Sequence, residues 1–217
     1  MTVVLLHPFP LDERAWEPQA AVLAGRSVSA PRLYGLGGSI EEWAVRVREE
    51  TSGGVIAVGA SMGGYTALEM ARQAPERVRG ILLAGSKAAA DSPDRKAQRD
   101  GIAALLRAEG VEAWYRQSGN PAPEHWVLEQ RAEDLANAME VLRDRSDATD
   151  VVRGFAGPLM VVVGTRDEIV SVDEARELAA SAPDGRVEVI EGAGHFVGID
   201  APDRFNPLLE EFLAQWT

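Results

Sequence analysis

Five residues, Gly59-Ala60-Ser61-Met62-Gly63, carry the most legible chemistry in this sequence. They lie between an apolar run, Val55-Ile56-Ala57-Val58, and a helical pattern marked by Tyr65, Leu68, Met70 and Ala71. A serine with glycine two residues to either side, on a strand-to-helix turn, is the pattern of a nucleophile elbow. Such a turn crowds the backbone, and glycine removes the Cβ atoms that would clash. The serine hydroxyl is left exposed at the first turn of a helix. Unpaired N–H groups and the positive dipole end there favour developing negative charge. The chemistry to expect is attack by Ser61 on a carbonyl.

The same letters nearly spell a phosphate-binding loop, because Gly59 is followed after four residues by Gly64-Tyr65-Thr66. That motif requires lysine where Tyr65 stands, to bring a positive charge to the phosphates. A formal net charge of −12 gives no general attraction for polyphosphate either. Gly35-Leu36-Gly37-Gly38 does not match the dinucleotide fingerprint and reads as a loop.

A serine hydroxyl is a weak nucleophile until a neighbouring base takes its proton and a third group orients that base. His195 is the best base candidate; it stands in Gly192-Ala193-Gly194-His195-Phe196, directly after the strand-like Arg186–Ile190. His7 and His125 are weaker candidates. Asp167 is the best orienting acid, in Gly164-Thr165-Arg166-Asp167 after the apolar Leu159–Val163, with Glu168 as an adjacent competitor. Loops at the carboxyl ends of strands are where an open α/β sheet builds its sites. An oxyanion hole needs two N–H donors. One is expected from Met62, the residue after the nucleophile. The other is expected from His7-Pro8-Phe9-Pro10, in which the prolines have no N–H, so that Phe9 is the donor.

The substrate pocket is harder to read. Trp114, Trp126, Val170 and Phe196, with Phe9, Met62 and Tyr115, are candidates for an apolar lining, although aromatics at helical spacing more often belong to a core. Arg95, Lys96 and Arg99 read as a solvated face, with a carboxylate-binding role as the alternative.

The elements that must position these groups follow from periodicity. Strands are expected at Val3–Leu6, Ser27–Ala30, Val55–Val58, Gly80–Leu83, Leu159–Val163 and Arg186–Ile190. Helices are expected at Pro18–Ala24, Ser39–Glu50, Met62–Gln73, Val172–Ser181 and Pro207–Gln215. Buried strands separated by helices predict an α/β fold with a mostly parallel central sheet and helices on both faces. The rhythm breaks between Ala88 and Arg153, where helical spacing runs through Asp94–Glu109, Val111–Arg116 and His125–Asp144 with a Gly119-Asn120-Pro121-Ala122-Pro123 turn. A connection of that length predicts a helical cap, 88–153, over the sheet's carboxyl edge, within a single domain 1–217 whose core is 1–87 and 154–217.

Composition sets the remaining bounds. The absence of cysteine excludes disulfides and Cys-based metal sites, and three scattered histidines argue against a His-based one. No cofactor or metal is called for. The acidic balance argues against nucleic acid, and no apolar stretch is long enough to span a membrane. The amino end lacks the basic region and long apolar run of a signal peptide, which with the missing cysteines fits a cytoplasmic protein. Self-association, as a homo-oligomer, is left open.

Together these residues resemble the α/β-hydrolase superfamily. The resemblance rests on Leu5-Leu6-His7-Pro8-Phe9-Pro10-Leu11-Asp12, Gly59–Tyr65, Pro75-Glu76-Arg77-Val78, Gly164–Asp167 and Gly192–Phe196, which cover essentially the whole chain. The order Ser61, Asp167, His195 is the order of that superfamily. His-x-Phe-Pro-Leu-Asp and Ser-Met-Gly-Gly-Tyr are similar to the branch holding 3-oxoadipate enol-lactonase-like enzymes, small carboxylesterases and cofactor-free haloperoxidases. The resemblance implies a serine hydrolase with a Ser61–His195–Asp167 triad, acting with water on a small carboxylic ester or lactone. Perhydrolysis and carbon–carbon cleavage are alternatives on the same triad, and a ligand-binding module with a silent triad is the non-enzymatic one. Three departures stand out: His7-Pro8 replaces the usual His-Gly, Ala60 stands where His is frequent, and both Ser39–Gly54 and the cap look short.

Overall fold

Runs such as Leu159-Met160-Val161-Val162-Val163 are apolar at every position, which suits a strand buried on both faces of a parallel sheet. The computed structural model, which describes residues 1–216, contains six strands, of which the inner ones are of this kind: β1 (Thr2–Leu6), β2 (Ser27–Ser29), β3 (Val55–Ala60), β4 (Val78–Ala84), β5 (Leu159–Gly164) and β6 (Gly185–Ile190). Their order is β2-β1-β3-β4-β5-β6, and every neighbouring pair is parallel. The edges are formed by the three-residue β2 and by β6, whose side chains are mostly half-exposed; shortness and polarity both discourage further pairing.

Side-chain alternation divides the core into two layers. Val4, Leu6, Val55, Ala57, Ile81, Leu83, Val161 and Val163 belong to one layer, with α2 (Ile40–Glu49), α3 (Met62–Gln73) and α8 (Val172–Ser181). Val3, Leu5, Ile56, Val58, Leu82, Met160 and Val162 belong to the other. They pack there with Trp16 of a 3-10 helix (Glu13–Gln19), Leu23 of the short α1 (Ala20–Leu23), and Phe205, Leu209 and Phe212 of α10 (Pro202–Ala214). Local signals set the helix starts. The Ser39 hydroxyl accepts from the Glu42 N–H at the start of α2, and Ser171 and Glu174 form a reciprocal capping box at α8.

From β1 the chain crosses to β2 on one side, then returns to β3 on the other side of β1. The connections leaving β1 and β3 therefore diverge, and the crevice between them lies at the sheet's carboxyl edge. The loop carrying Phe9 and the turn carrying Ser61 both leave from that edge.

Between β4 and β5 the chain is helical and contains no strand: α4 (Pro93–Ser118), α5 (Glu124–Leu128), α6 (Ala132–Asp144) and α7 (Thr149–Gly154). α4 is broken at Gly110, whose φ of 85° and ψ of 177° are not helical, so it divides where the sequence suggested, between Glu109 and Val111. Several expectations need correction. The expected helix Pro18–Ala24 is the end of the 3-10 helix Glu13–Gln19 followed by the short α1, Ala20–Leu23. The run His125–Asp144 is two helices, interrupted near Arg131, which has an extended backbone. At that break the Gln130 amide donates to Asp12 Oδ2 at 2.7 Å, tying the insert to the loop after β1. The last helix starts at Pro202 rather than Pro207: the first proline occupies the position where a missing N–H costs nothing, and the second lies inside the helix. The short α7 and the one-turn α9 (Val197–Asp200) were not expected.

Candidate active site

Ser61 occupies the junction of β3 and α3 with φ 45° and ψ −109°, alone among the described non-glycine residues in having a positive φ. Backbone strain of this kind persists only where surrounding structure fixes it. Here the fixing is steric. A Cβ on Gly59 would lie 2.5 Å from the Gly63 carbonyl oxygen, and one on Gly63 would lie 2.0 Å from that of Leu6. A third glycine, Gly64, makes room for Ser86, whose hydroxyl donates to the Ser61 carbonyl at 2.8 Å.

The Ser61 Oγ lies 2.9 Å from His195 Nε2, although the two residues are 134 positions apart. His195 Nδ1 lies 3.0 Å from each carboxylate oxygen of Asp167. An ionised carboxylate only accepts, so Nδ1 carries the proton and donates, which leaves Nε2 of the neutral ring to accept from the Ser61 hydroxyl. The Asp167 side chain is fully buried and that of His195 is 7% exposed. Burial opposes ionisation of Asp167. Hydrogen bonds from His195 and from the Val170 and Ile169 N–H groups, with the electrostatic attraction of the His195 ring, outweigh it and hold the carboxyl below its ordinary range. Glu168, the competing acid, is exposed, and the carboxylate hydrogen-bonded to His195 is that of Asp167. This arrangement can take a proton from a serine hydroxyl and hold the resulting imidazolium.

Of the expected oxyanion donors, Phe9 and Met62, neither N–H donates to a protein acceptor among the described residues. Met62 opens α3, where helical geometry leaves the N–H unpaired. Phe9 lines the same cavity as Ser61, and its ring meets Trp114 edge-on at 5.5 Å.

His7 serves a different purpose from His195. It is fully buried, and its Nε2 accepts the Leu33 N–H at 2.9 Å, fixing the start of the Phe9 loop against the chain after β2. Burial, the largest influence, pushes its pKa down to about 4, against the raising effects of the Pro8 carbonyl and Asp12. The folded state therefore takes up this proton less readily than the unfolded chain. Stability from this group is complete above about pH 6.5 and is lost as pH falls toward 4, by on the order of 3 kcal/mol. The urea midpoint is expected to drop between pH 7 and pH 4.5, and His7→Gln to flatten that drop. An equal drop in both proteins would contradict the assignment. His125 is exposed and packs on Trp126.

A cavity of about 780 Å³ opens over Ser61 and His195. Of the four expected lining residues, Trp114 and Phe196 line it. Val170 and Trp126 do not: Val170 is buried in the core and presents its N–H to Asp167, and Trp126 packs against the core beside His125. Met62 is buried beneath the site, and Tyr115 donates to the Ala122 carbonyl at 2.8 Å instead. Arg95 and Arg99 line the cavity and Lys96 does not, so the run is not simply a solvated face.

Three supporting residues escaped sequence reasoning. Ser86 is one. Another is Gly85, with φ 57°, where a Cβ would stand 2.8 Å from the His195 carbonyl oxygen and 3.1 Å from Asp167 Oδ2. The available signal was a Gly-Ser pair at the carboxyl end of a buried strand. Asp200 also contributes, accepting the Gly194 N–H at 3.0 Å and steadying the His195 loop. Among the described residues no His, Asp and Glu cluster suits a metal ion, and no helix is long and apolar enough to cross a membrane.

Residues 3–208 match the family model described as the alpha/beta hydrolase family. The chain belongs to the α/β-hydrolase family. This α/β hydrolase is 28% identical to a pimeloyl-[acyl-carrier protein] methyl ester esterase of Aromatoleum aromaticum, with 96% of each chain covered. A thermophilic esterase from Thermogutta terrifontis superposes with a TM-score of 0.89 at 28% identity, over 99% of this chain and 90% of that one. The enol-lactonase from Burkholderia xenovorans LB400 shares the fold, with a TM-score of 0.83 at 23% identity over 98% and 91%. Esterases thus resemble this α/β hydrolase in sequence and fold, and an enol-lactonase resembles it in fold.

Proposed function

We propose that this α/β hydrolase cleaves a small carboxylic ester or lactone through an acyl-enzyme formed on Ser61. The observation that carries the reading is the continuous chain from the Ser61 hydroxyl to His195 at 2.9 Å and on to Asp167 at 3.0 Å. His195 takes the Ser61 proton as Oγ bonds to the carbonyl carbon. The oxygen that gains charge is held by the Met62 and Phe9 N–H groups, a kind of contact whose loss typically costs about 10²–10³ in kcat. Asp167 keeps the ring in the productive tautomer and offsets the imidazolium charge. His195 then protonates the leaving alkoxide. In the second half it takes a proton from water, whose oxygen attacks the acyl carbon and returns Ser61 to its hydroxyl form.

The helical segment 88–153 acts in this reading as a cap on a single domain, supplying Trp114 and much of α4 to the cavity wall. A role in binding rather than chemistry follows, because the reacting groups come from the sheet edge. The deciding experiment is a panel of short-chain esters and small lactones. Saturable turnover with an initial burst equal to the enzyme concentration is expected for at least one class. Absence of turnover across the panel, with folded protein, would contradict the reading.

A further inference from the structure

The start of α4 brings more positive charge to the cavity than its neighbours balance. Arg95 and Arg99, four residues apart and so on one helix face, both line the cavity that holds Ser61 and His195. Arg99 is buried and pairs with Asp91. Arg145, also buried, pairs with the same carboxylate at 2.7 Å and lies 4.0 Å from the centroid of Tyr65, another cavity residue. One carboxylate thus serves two guanidiniums.

Among the described residues Arg95 has no carboxylate within ion-pair distance; it is half-buried and donates only to Gln98 Oε1 at 3.0 Å. Burial, the largest influence, and the neighbouring Arg99 disfavour its charge and outweigh the more distant attraction of Asp91. The acidic residues that line the cavity do not supply the missing partner. Asp200 is committed to the Gly194 N–H, and Glu168 is exposed beside Asp167. The Tyr65 hydroxyl has no hydrogen-bond partner among the described residues. Further along the same face of α4, Ile102 and Leu105 continue the wall, so it passes from charged to apolar. A half-buried guanidinium without a counter-ion is costly until an anion joins it, and its planar fork suits a carboxylate. The excess is local: the chain as a whole carries a formal net charge of −12.

We propose that Arg95, with Arg99 and Tyr65 beside it, forms an anion subsite, and that the natural substrate is an ester or lactone that also bears a carboxylate at the end of a short aliphatic chain. The substrate class rests on the hydrolase reading above; the subsite itself does not.

The test compares 4-nitrophenyl half-esters of straight dicarboxylic acids of six to eight carbons with the 4-nitrophenyl esters of monocarboxylic acids of the same lengths. In the wild type, kcat/KM is expected to favour the anionic ester at least tenfold for one length. Arg95→Gln should lower that anionic-to-neutral ratio at least tenfold, mainly through KM, and Arg95→Lys should restore part of it. A second arm omits turnover: calorimetric titration with the free dicarboxylates should show binding weakened at least tenfold by Arg95→Gln, in protein whose circular dichroism and melting are those of the wild type. A ratio and a dicarboxylate affinity that are both unchanged by Arg95→Gln would overturn the subsite. Arg95-dependent binding of the dicarboxylate without hydrolysis of any ester would sink the hydrolase reading and leave the subsite standing.

Discussion

Ser61→Ala is expected to lower kcat on the best ester by about 10⁶-fold, the size of effect seen when the nucleophile is removed from a serine hydrolase whose three groups act as a unit. The fold should survive the change. The Ser61 side chain makes no capping bond to α3, and its one hydrogen bond is to His195. The strained backbone at this position is imposed by neighbours: Gly59 and Gly63 are crowded by main-chain atoms, and Ser86 bonds the Ser61 carbonyl, not its hydroxyl. Melting and near-ultraviolet circular dichroism should therefore stay close to wild type while turnover vanishes. Residual activity within tenfold of wild type would place the nucleophile elsewhere.

Asp167→Asn is expected to cost about 10⁴-fold in kcat for a reason that is purely one of hydrogen-bond polarity. The aspartate accepts from His195 Nδ1 at 3.0 Å and from the N–H groups of Ile169 and Val170 at 2.8 and 3.0 Å. Asparagine keeps one carbonyl oxygen for the two backbone donors, so the loop can hold its shape. Its amide then faces the imidazole with a donor. The ring answers by placing its proton on Nε2, where it blocks transfer from Ser61. A decline in kcat with unchanged melting is the expected signature. A fall of less than tenfold would mean that Asp167 only shapes the loop, and Glu168 or Asp200 would then need to be examined as the orienting group.

The residues proposed to react were legible because each stands at a punctuation mark of the α/β alternation. Ser61, Asp167 and His195 all follow apolar strand-like runs, and glycine-rich turns surround them, so topology alone brings them to one edge. The break in α4 was legible for a similar reason, since Gly110 interrupts an otherwise regular helical pattern. The cavity wall was not legible. Arg95 and Lys96 are neighbours in a charged run, and only the three-dimensional placement of α4 distinguishes the residue that lines the cavity from the one that does not. Val170 and Trp126 illustrate the converse. Both have the apolar character of a pocket residue, and both are taken up by the core or its margin. Pro207 misled because proline at a helix start and proline tolerated inside a helix look alike in a sequence. Gly85 and Ser86 carried only the faint signal of a Gly-Ser pair after a buried strand, for their importance lies in what approaches them.

The central claim is that the Ser61 hydroxyl is made nucleophilic by the side chains that meet it. Reaction with a fluorophosphonate probe, followed by intact-mass and peptide mass spectrometry, tests this without knowledge of the substrate. One adduct per chain is expected, located on Ser61, abolished in Ser61→Ala and formed far more slowly in Asp167→Asn. Folded wild-type protein that stays unlabelled, or that carries its adduct on another residue, would contradict it.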